Sequence, residues 1–174
     1  HSTFIFAVYF ATTVYPENGT ALWGYMTAAA AVFVAIVSPI LGGLADAKAK
    51  RKLFLLIVTF VGIISTILLW KIEPNNSFIT LALILSFFSI AANELMFVFY
   101  NSLLPSVAPK AMIGRVSGWS WGVGYWGAII ALSIALFLFI QPENAPFNLN
   151  KSNAEHVRAT MILAGVWLLI FSVP

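Results

Sequence analysis

The 174-residue chain has no cysteine, two histidines and few charges, Asp, Glu, Lys and Arg together making up 9% of it. Without cysteine there is no disulfide framework, no thiolate metal site and no thiol nucleophile, and redox compartment is left unspecified. His1 and His156 belong to no H-E-x-x-H pair and no Ser-His-Asp set, and no G-x-x-x-x-G-K phosphate loop occurs. The glycines between Gly114 and Gly127 follow no strand, so they are not a dinucleotide fingerprint. These absences leave no catalytic residue, no metal ligand and no cofactor, and the chain is read as a non-enzyme. ATP-driven pumping would need a nucleotide domain on another chain. The formal charge of +3 comes from cations scattered along the chain rather than gathered on one face, which argues against nucleic acid as a partner.

What the chain has in abundance is apolar sequence: 61% of its residues are hydrophobic, against about 45–50% in a soluble domain. The partner this implies is a lipid bilayer, and the fold class is all-α integral membrane, because open strand edges are not tolerated in hydrocarbon. Six apolar segments are expected as helices, at about 1–15, 21–45, 53–71, 78–101, 115–140 and 158–174. A spanning helix needs roughly 20 residues, and the first and last segments fall short of that. The opening run stops at Tyr15-Pro16 and the closing one at Ser172-Val173-Pro174, with neither an initiator Met nor a basic leader at the start. The expectation is a fragment broken inside a helix at both ends.

Orientation follows from the cations. Lys48, Lys50, Arg51, Lys52, Lys110 and Arg115 lie between segments 2 and 3 or 4 and 5, and Lys71, Lys151 and Arg158 lie in the opposite connections. Six against three places the first group in the cytoplasm. Trp23, Tyr25 and Trp70 then fall near the outer ends of their helices, as an aromatic belt requires. Three Asn-x-Ser/Thr triplets begin at Asn18, Asn75 and Asn150, all in expected outer loops.

Three stretches carry candidate function. In the first, Gly42, Gly43 and Ala45 remove side chains where a helix end meets a neighbour, and Asp46 leaves a carboxylate at the membrane face, with Leu44, Lys50 and Arg51 beside it. This reads as a latch between helices, with Arg115 as a partner for Asp46; the alternative is a topogenic loop. The second is the fourth segment, where Glu94 is the ionisable side chain at membrane depth. Ser86, Ser89, Asn93 and Tyr100 recur at helical spacings around it, and Asn101 follows Glu94 by seven on its own stripe. An acid within the membrane is a functional candidate by default. Glu94 either lines the solute path, taking up a proton or binding an amino group, or is protonated interhelical glue. The third is segment 5, where Gly114, Gly118 and Gly122 recur every four residues and suggest a packing seam. Trp119, Trp121 and Trp126 there stack on a solute or lock the helix at the interface, and Pro39 is expected to kink segment 2.

The run Gly42, Leu44, Ala45, Asp46, Lys50-Arg51 resembles the G-x-L-A-D-[RK]-x-G-[RK]-[RK] signature that follows the second helix of major facilitator superfamily transporters. It departs at Ala47, where a cation is usual, and at Ala49, where glycine is usual. Asn93-Glu94, together with Leu104-Pro105-Ser106-Val107-Ala108-Pro109 and Gly114-Arg115-Val116-Ser117-Gly118, resembles the Atg22-like branch, also called the UMF1 family. The resemblance implies the amino-terminal six-helix half of a twelve-helix transporter, lacking here its carboxy-terminal half. It further implies alternating access with export of a small solute, amino acids being the class, in a bacterial inner membrane or a eukaryotic vacuolar one. The latch would hold the two halves together while the cavity faces outward. Proton coupling through Glu94 is one form this transport would take. A six-helix membrane scaffold or channel-like protein is the other reading.

Overall fold

The computed structural model describes residues 2–142 and 146–172. The expectation of broken ends touches His1, Val173 and Pro174, which lie outside the described residues. The described chain is helical, in six helices. α1 (Ser2–Tyr9) continues as a π-helical turn (Phe10–Val14), α2 spans Gly19–Ala47, and α3 (Arg51–Leu68) ends in a 3-10 turn (Leu69–Lys71). α4 (Ile79–Val107) and α5 (Ile113–Ile134) each follow a 3-10 turn, α5 continues as a π-helix (Ala135–Ile140), and α6 spans Glu155–Ser172. α2 to α6 are long and apolar enough to cross a membrane, whereas the apolar stretch of α1, Phe4–Val14, is shorter.

Two boundaries differ from the sequence expectation for a physical reason. α4 does not stop at 101 but continues through Pro105 to Val107. Ser102 Oγ donates to the Phe99 carbonyl at 2.7 Å and Ser106 Oγ to that of Leu103 at 2.6 Å, so polar residues that read as a helix end bond back to their own helix. α6 begins at Glu155 rather than 158, which gives it 18 residues and a spanning length. His156 therefore sits in its first turn. α2 stays helical through Pro39, which is exposed. In the connections, the side-chain oxygens of Asn75 and Asn150 accept the backbone N–H groups of Ser77 and Ser152, at 3.0 and 2.9 Å. Two of the Asn-x-Ser triplets are thus also Asx turns.

Two apolar layers hold the bundle together. Near the end that carries Lys48 to Lys52, here the basic end, Ala45, Val58, Leu95 and Phe99 join α2, α3 and α4, with Phe54 tilted against Phe99 at 5.8 Å. At the far end Phe6, Tyr9, Phe10, Leu69, Ile72 and Met161 join α1, α3 and α6, and Trp23 of α2 leans on Phe6 and Phe10. The Tyr9 hydroxyl donates to the Ile72 carbonyl at 2.8 Å, tying α1 to the end of α3.

α3 is the central helix, packed most heavily on α4 and then on α6. Glycine makes those contacts possible. A Cβ on Gly62 would lie 3.3 Å from Met96 Cε and 3.4 Å from Ala92 Cβ, and one on Gly165 would overlap Ile67 Cγ1. At the start of α2, a Cβ on Gly19 would lie 2.8 Å from Ala11 Cα, within the π-helical turn of α1. The seam expected on α5 packs against nothing within this half: a Cβ at Gly114, Gly118 or Gly122 meets nothing within 4 Å among the described residues. The period of four did place these glycines together, but α5 stands apart, with only Ala131 and Ala135 buried along Ile113–Ile140.

Candidate functional site

The connection after α2 is short because the helix ends in a Schellman turn. Lys50 N–H donates to the Ala45 carbonyl at 2.9 Å and Ala49 N–H to that of Asp46 at 3.0 Å, the pair of bonds that defines the motif. The turn requires a left-handed residue, and Ala49 supplies it at φ 50°. This is the position where the transporter signature has glycine. A Cβ in that conformation costs about 1–2 kcal/mol. Ala49→Gly is therefore expected to stabilise the protein by about 0.5–1 kcal/mol after the added chain entropy of glycine, read as a raised thermal midpoint in detergent.

Within this turn Asp46 is ion-paired and hydrogen-bonded to Arg51 Nε. A second guanidinium nitrogen, Nη1, donates to the Ser102 carbonyl of α4 at 2.9 Å. One arginine thereby joins the end of α2, the start of α3 and the last turns of α4. The Asp46–Arg115 pair is not formed: Arg115 is exposed in the first turn of α5, while Arg51 is held five residues from Asp46 by the turn itself. Of the other latch residues, Ala45 is fully buried in the basic-end layer. Leu44 and Lys50 are exposed, and Gly42 and Gly43 face open space among the described residues.

Along α4 the structure separates what the sequence grouped. Ser86 and Ser89 are buried; Ser89 Oγ and Thr66 Oγ1 of α3 are hydrogen-bonded at 2.8 Å, and Asn93 Nδ2 donates to the Ser89 carbonyl at 2.7 Å. Ser89 and Asn93 are thus bonded inside the half, beside a cavity of about 140 Å³ lined by Ile5, Thr66, Asn93, Ala135 and Trp167, while the buried Ser86 hydroxyl has no partner among the described residues. Glu94 does not share that side. Neighbouring helical residues point about 100° apart, and Glu94 is exposed on the opposite flank with Val98 and Asn101; Tyr100 is also half-exposed. Because α4 runs to Val107, Glu94 lies about 20 Å from that end. It is close to the middle of the helix. Phe87, seven residues earlier on the same face, packs on Phe33 of α2 at 5.4 Å, and Phe97, three later, stacks on Trp121 of α5 at 5.7 Å. Glu94 thus stands on an outward face of α4 flanked by α2 and α5.

Sequence reasoning missed one site. Arg158, counted as a loop cation, is buried in α6. Its guanidinium lies 4.0 Å from Glu73, 3.9 Å from Glu155 and 5.1 Å from the centre of the Trp70 ring. The signal was available in principle: an arginine three residues after an acid, at the start of an apolar run, is in reach of it on a helix.

Long apolar helices, an acid–arginine clasp at a helix turn and a mid-helix carboxylate describe a multi-pass membrane protein. The profile of a family described as "Vacuole effluxer Atg22 like" matches residues 7–174, and the chain belongs to that family. It is 29% identical over 159 residues to an uncharacterized MFS-type transporter, YxiO, of Bacillus subtilis (strain 168). The match covers 90% of this chain and 36% of that protein, so the chain spans well under half of its relative's length. No solved structure matches. The fold is accordingly the all-α helix bundle of the major facilitator superfamily.

Proposed function

We propose that the chain is the six-helix first half of a secondary active transporter that moves a small solute, with amino acids as its class, by alternating access. The observation that carries this reading is Glu94, a carboxylate at mid-helix on an outward face. Such a group is expensive against lipid and belongs beside a water-filled path or a partner surface, and solute sites of these folds lie near the bilayer midplane between repeats. A second six-helix half would supply the opposite wall. In this reading the Asp46–Arg51 clasp keeps α2, α3 and α4 moving as one body while Gly42, Gly43 and Leu44 meet the other half. Coupling to protons through Glu94 gives the cycle its driving force, and the membrane is a bacterial inner membrane or a vacuolar one.

The test is amino-acid flux through the full-length protein in proteoliposomes under an imposed pH gradient. Saturable accumulation above equilibrium that collapses with an uncoupler is the expected result. Flux that only equilibrates and rises linearly with concentration would make the protein channel-like, and no flux would discard amino acids.

A further inference from the structure

Glu94 shares its face with an aromatic stack to which the transport reading assigns no role. Phe97 follows it by three residues, one turn along the same side of α4. The Trp121 ring of α5 lies parallel to Phe97, with 5.7 Å between centroids and 0° between planes, and Tyr125 tilts against Trp121 at 6.0 Å. α4 and α5 are joined by a short connection and run in opposite directions. The step from Trp121 to Tyr125 on α5 is therefore the step from Phe97 back to Glu94 on α4, which brings the phenol to the depth of the carboxylate. None of these rings is packed away: Phe97 remains 48% exposed, Trp121 50% and Tyr125 64%.

A carboxylate on this face would be balanced by a cation, and the described residues hold none at that depth. Lys110 and Arg115 lie at the basic end of α5, and Arg158 is buried at the far end of α6. A site that only took up a proton would have no use for ring faces. A carboxylate set beside indole, phenyl and phenol rings is instead the arrangement that holds an organic ammonium, because the ring quadrupole attracts a desolvated cation as the carboxylate does. It gives nothing to an anion. From this juxtaposition we infer that Glu94, Phe97, Trp121 and Tyr125 form an ammonium-recognition subsite, which reads the amino group of the solute rather than its acid group. The inference rests on the transport reading for its place in the solute path, and its chemistry is testable without transport.

The experiment measures binding of 3-methylbutylamine and 2-phenylethylamine, each beside its N-acetyl derivative, to the purified full-length protein by titration calorimetry at neutral pH. The amines are expected to bind and the uncharged acetyl derivatives to bind at least tenfold more weakly. Glu94→Gln should remove the preference. Trp121→Leu and Phe97→Leu should weaken the amines about three- to thirtyfold, and Trp121→Phe, which keeps a ring, should retain most of the affinity while controlling for folding. Equal binding of amines and acetyl derivatives, binding of neither amine, or full affinity in Glu94→Gln would overturn the proposal. So would loss in Glu94→Gln with none in Trp121→Leu, which is the behaviour of a bare proton or ion-pair site. Flux in proteoliposomes separates the two readings: amine binding without amino-acid flux leaves the subsite and discards amino-acid transport, while transport indifferent to acetylation discards the subsite and leaves transport.

Discussion

Gly165→Ala is expected to lower the thermal midpoint of this six-helix half in detergent, whereas Gly122→Ala, whose added methyl meets no described residue of the half, leaves it unchanged or raises it. The new methyl at 165 would clash with Ile67 Cγ1, with the Ile63 carbonyl oxygen 3.5 Å away. Ile67 is β-branched and within α3, so its χ1 has one strongly preferred well and little freedom to move aside. Forcing the contact costs about 1–3 kcal/mol. Gly122 offers the opposite case: open space around the added Cβ and a gain of up to about 1 kcal/mol in helix propensity. Gly62→Ala should fall between the two, because Met96 Cε at 3.3 Å is the end of a flexible side chain. Heating the variants and following the remaining monodisperse protein by gel filtration gives the order. If Gly165→Ala proves as harmless as Gly122→Ala, the close approach of α3 and α6 is wrong.

The same glycines show what sequence could and could not tell. Long apolar runs separated by charged turns sufficed for the membrane class and for four spanning helices, because hydrocarbon leaves the backbone so few options; α6 became the fifth only when its start moved back to Glu155. The signature after α2 led to Asp46 and Arg51, and even its departure from pattern at Ala49 marks the one left-handed residue of that turn. Pairing was harder. Asp46 was matched with Arg115 across the helices, but the Schellman turn folds Arg51 back onto it. Periodicity gave the face that Gly114, Gly118 and Gly122 share, and it carries no information on whether another helix stands there. Gly62 and Gly165 are isolated in sequence and repeat with nothing, so their close contacts emerge only from the packing of α3. The polar residues of α4 failed in a similar way. Asn93 and Glu94 are adjacent in sequence and point to different sides, one toward Ser89 and the bundle interior, the other outward.

Arg158→Met is expected to hold or raise stability, while the double variant Glu73→Gln/Glu155→Gln lowers it. The side chain of Arg158 is 6% exposed, so its guanidinium has given up most of its water. It recovers little of that in return. Its contacts with Glu73 and Glu155, at 4.0 and 3.9 Å, are longer than charge-assisted hydrogen bonds, Nε has no hydrogen-bond partner among the described residues, and the Trp70 face adds a cation–π contact. Methionine fills similar volume without the desolvation penalty, and the carboxylates it leaves behind, 59% and 29% exposed, reach water and so leave no charge stranded in the interior. Removing the carboxylates instead strands a buried cation. The full penalty for that is about 3–5 kcal/mol; Glu73 is 59% exposed, and solvent screening of that partner brings the expected loss to about 1–3 kcal/mol. Thermal midpoints of the two variants, measured at low and high salt, decide the matter, and a larger fall in Arg158→Met than in the double variant would reverse the argument. The expected order would mean that this arginine is not what makes the far end stable. Its contribution would then be positional: held between Glu155 at the start of α6 and Trp70 and Glu73 after α3, it fixes how α6 enters the bundle at the end where Tyr9 ties α1 to Ile72.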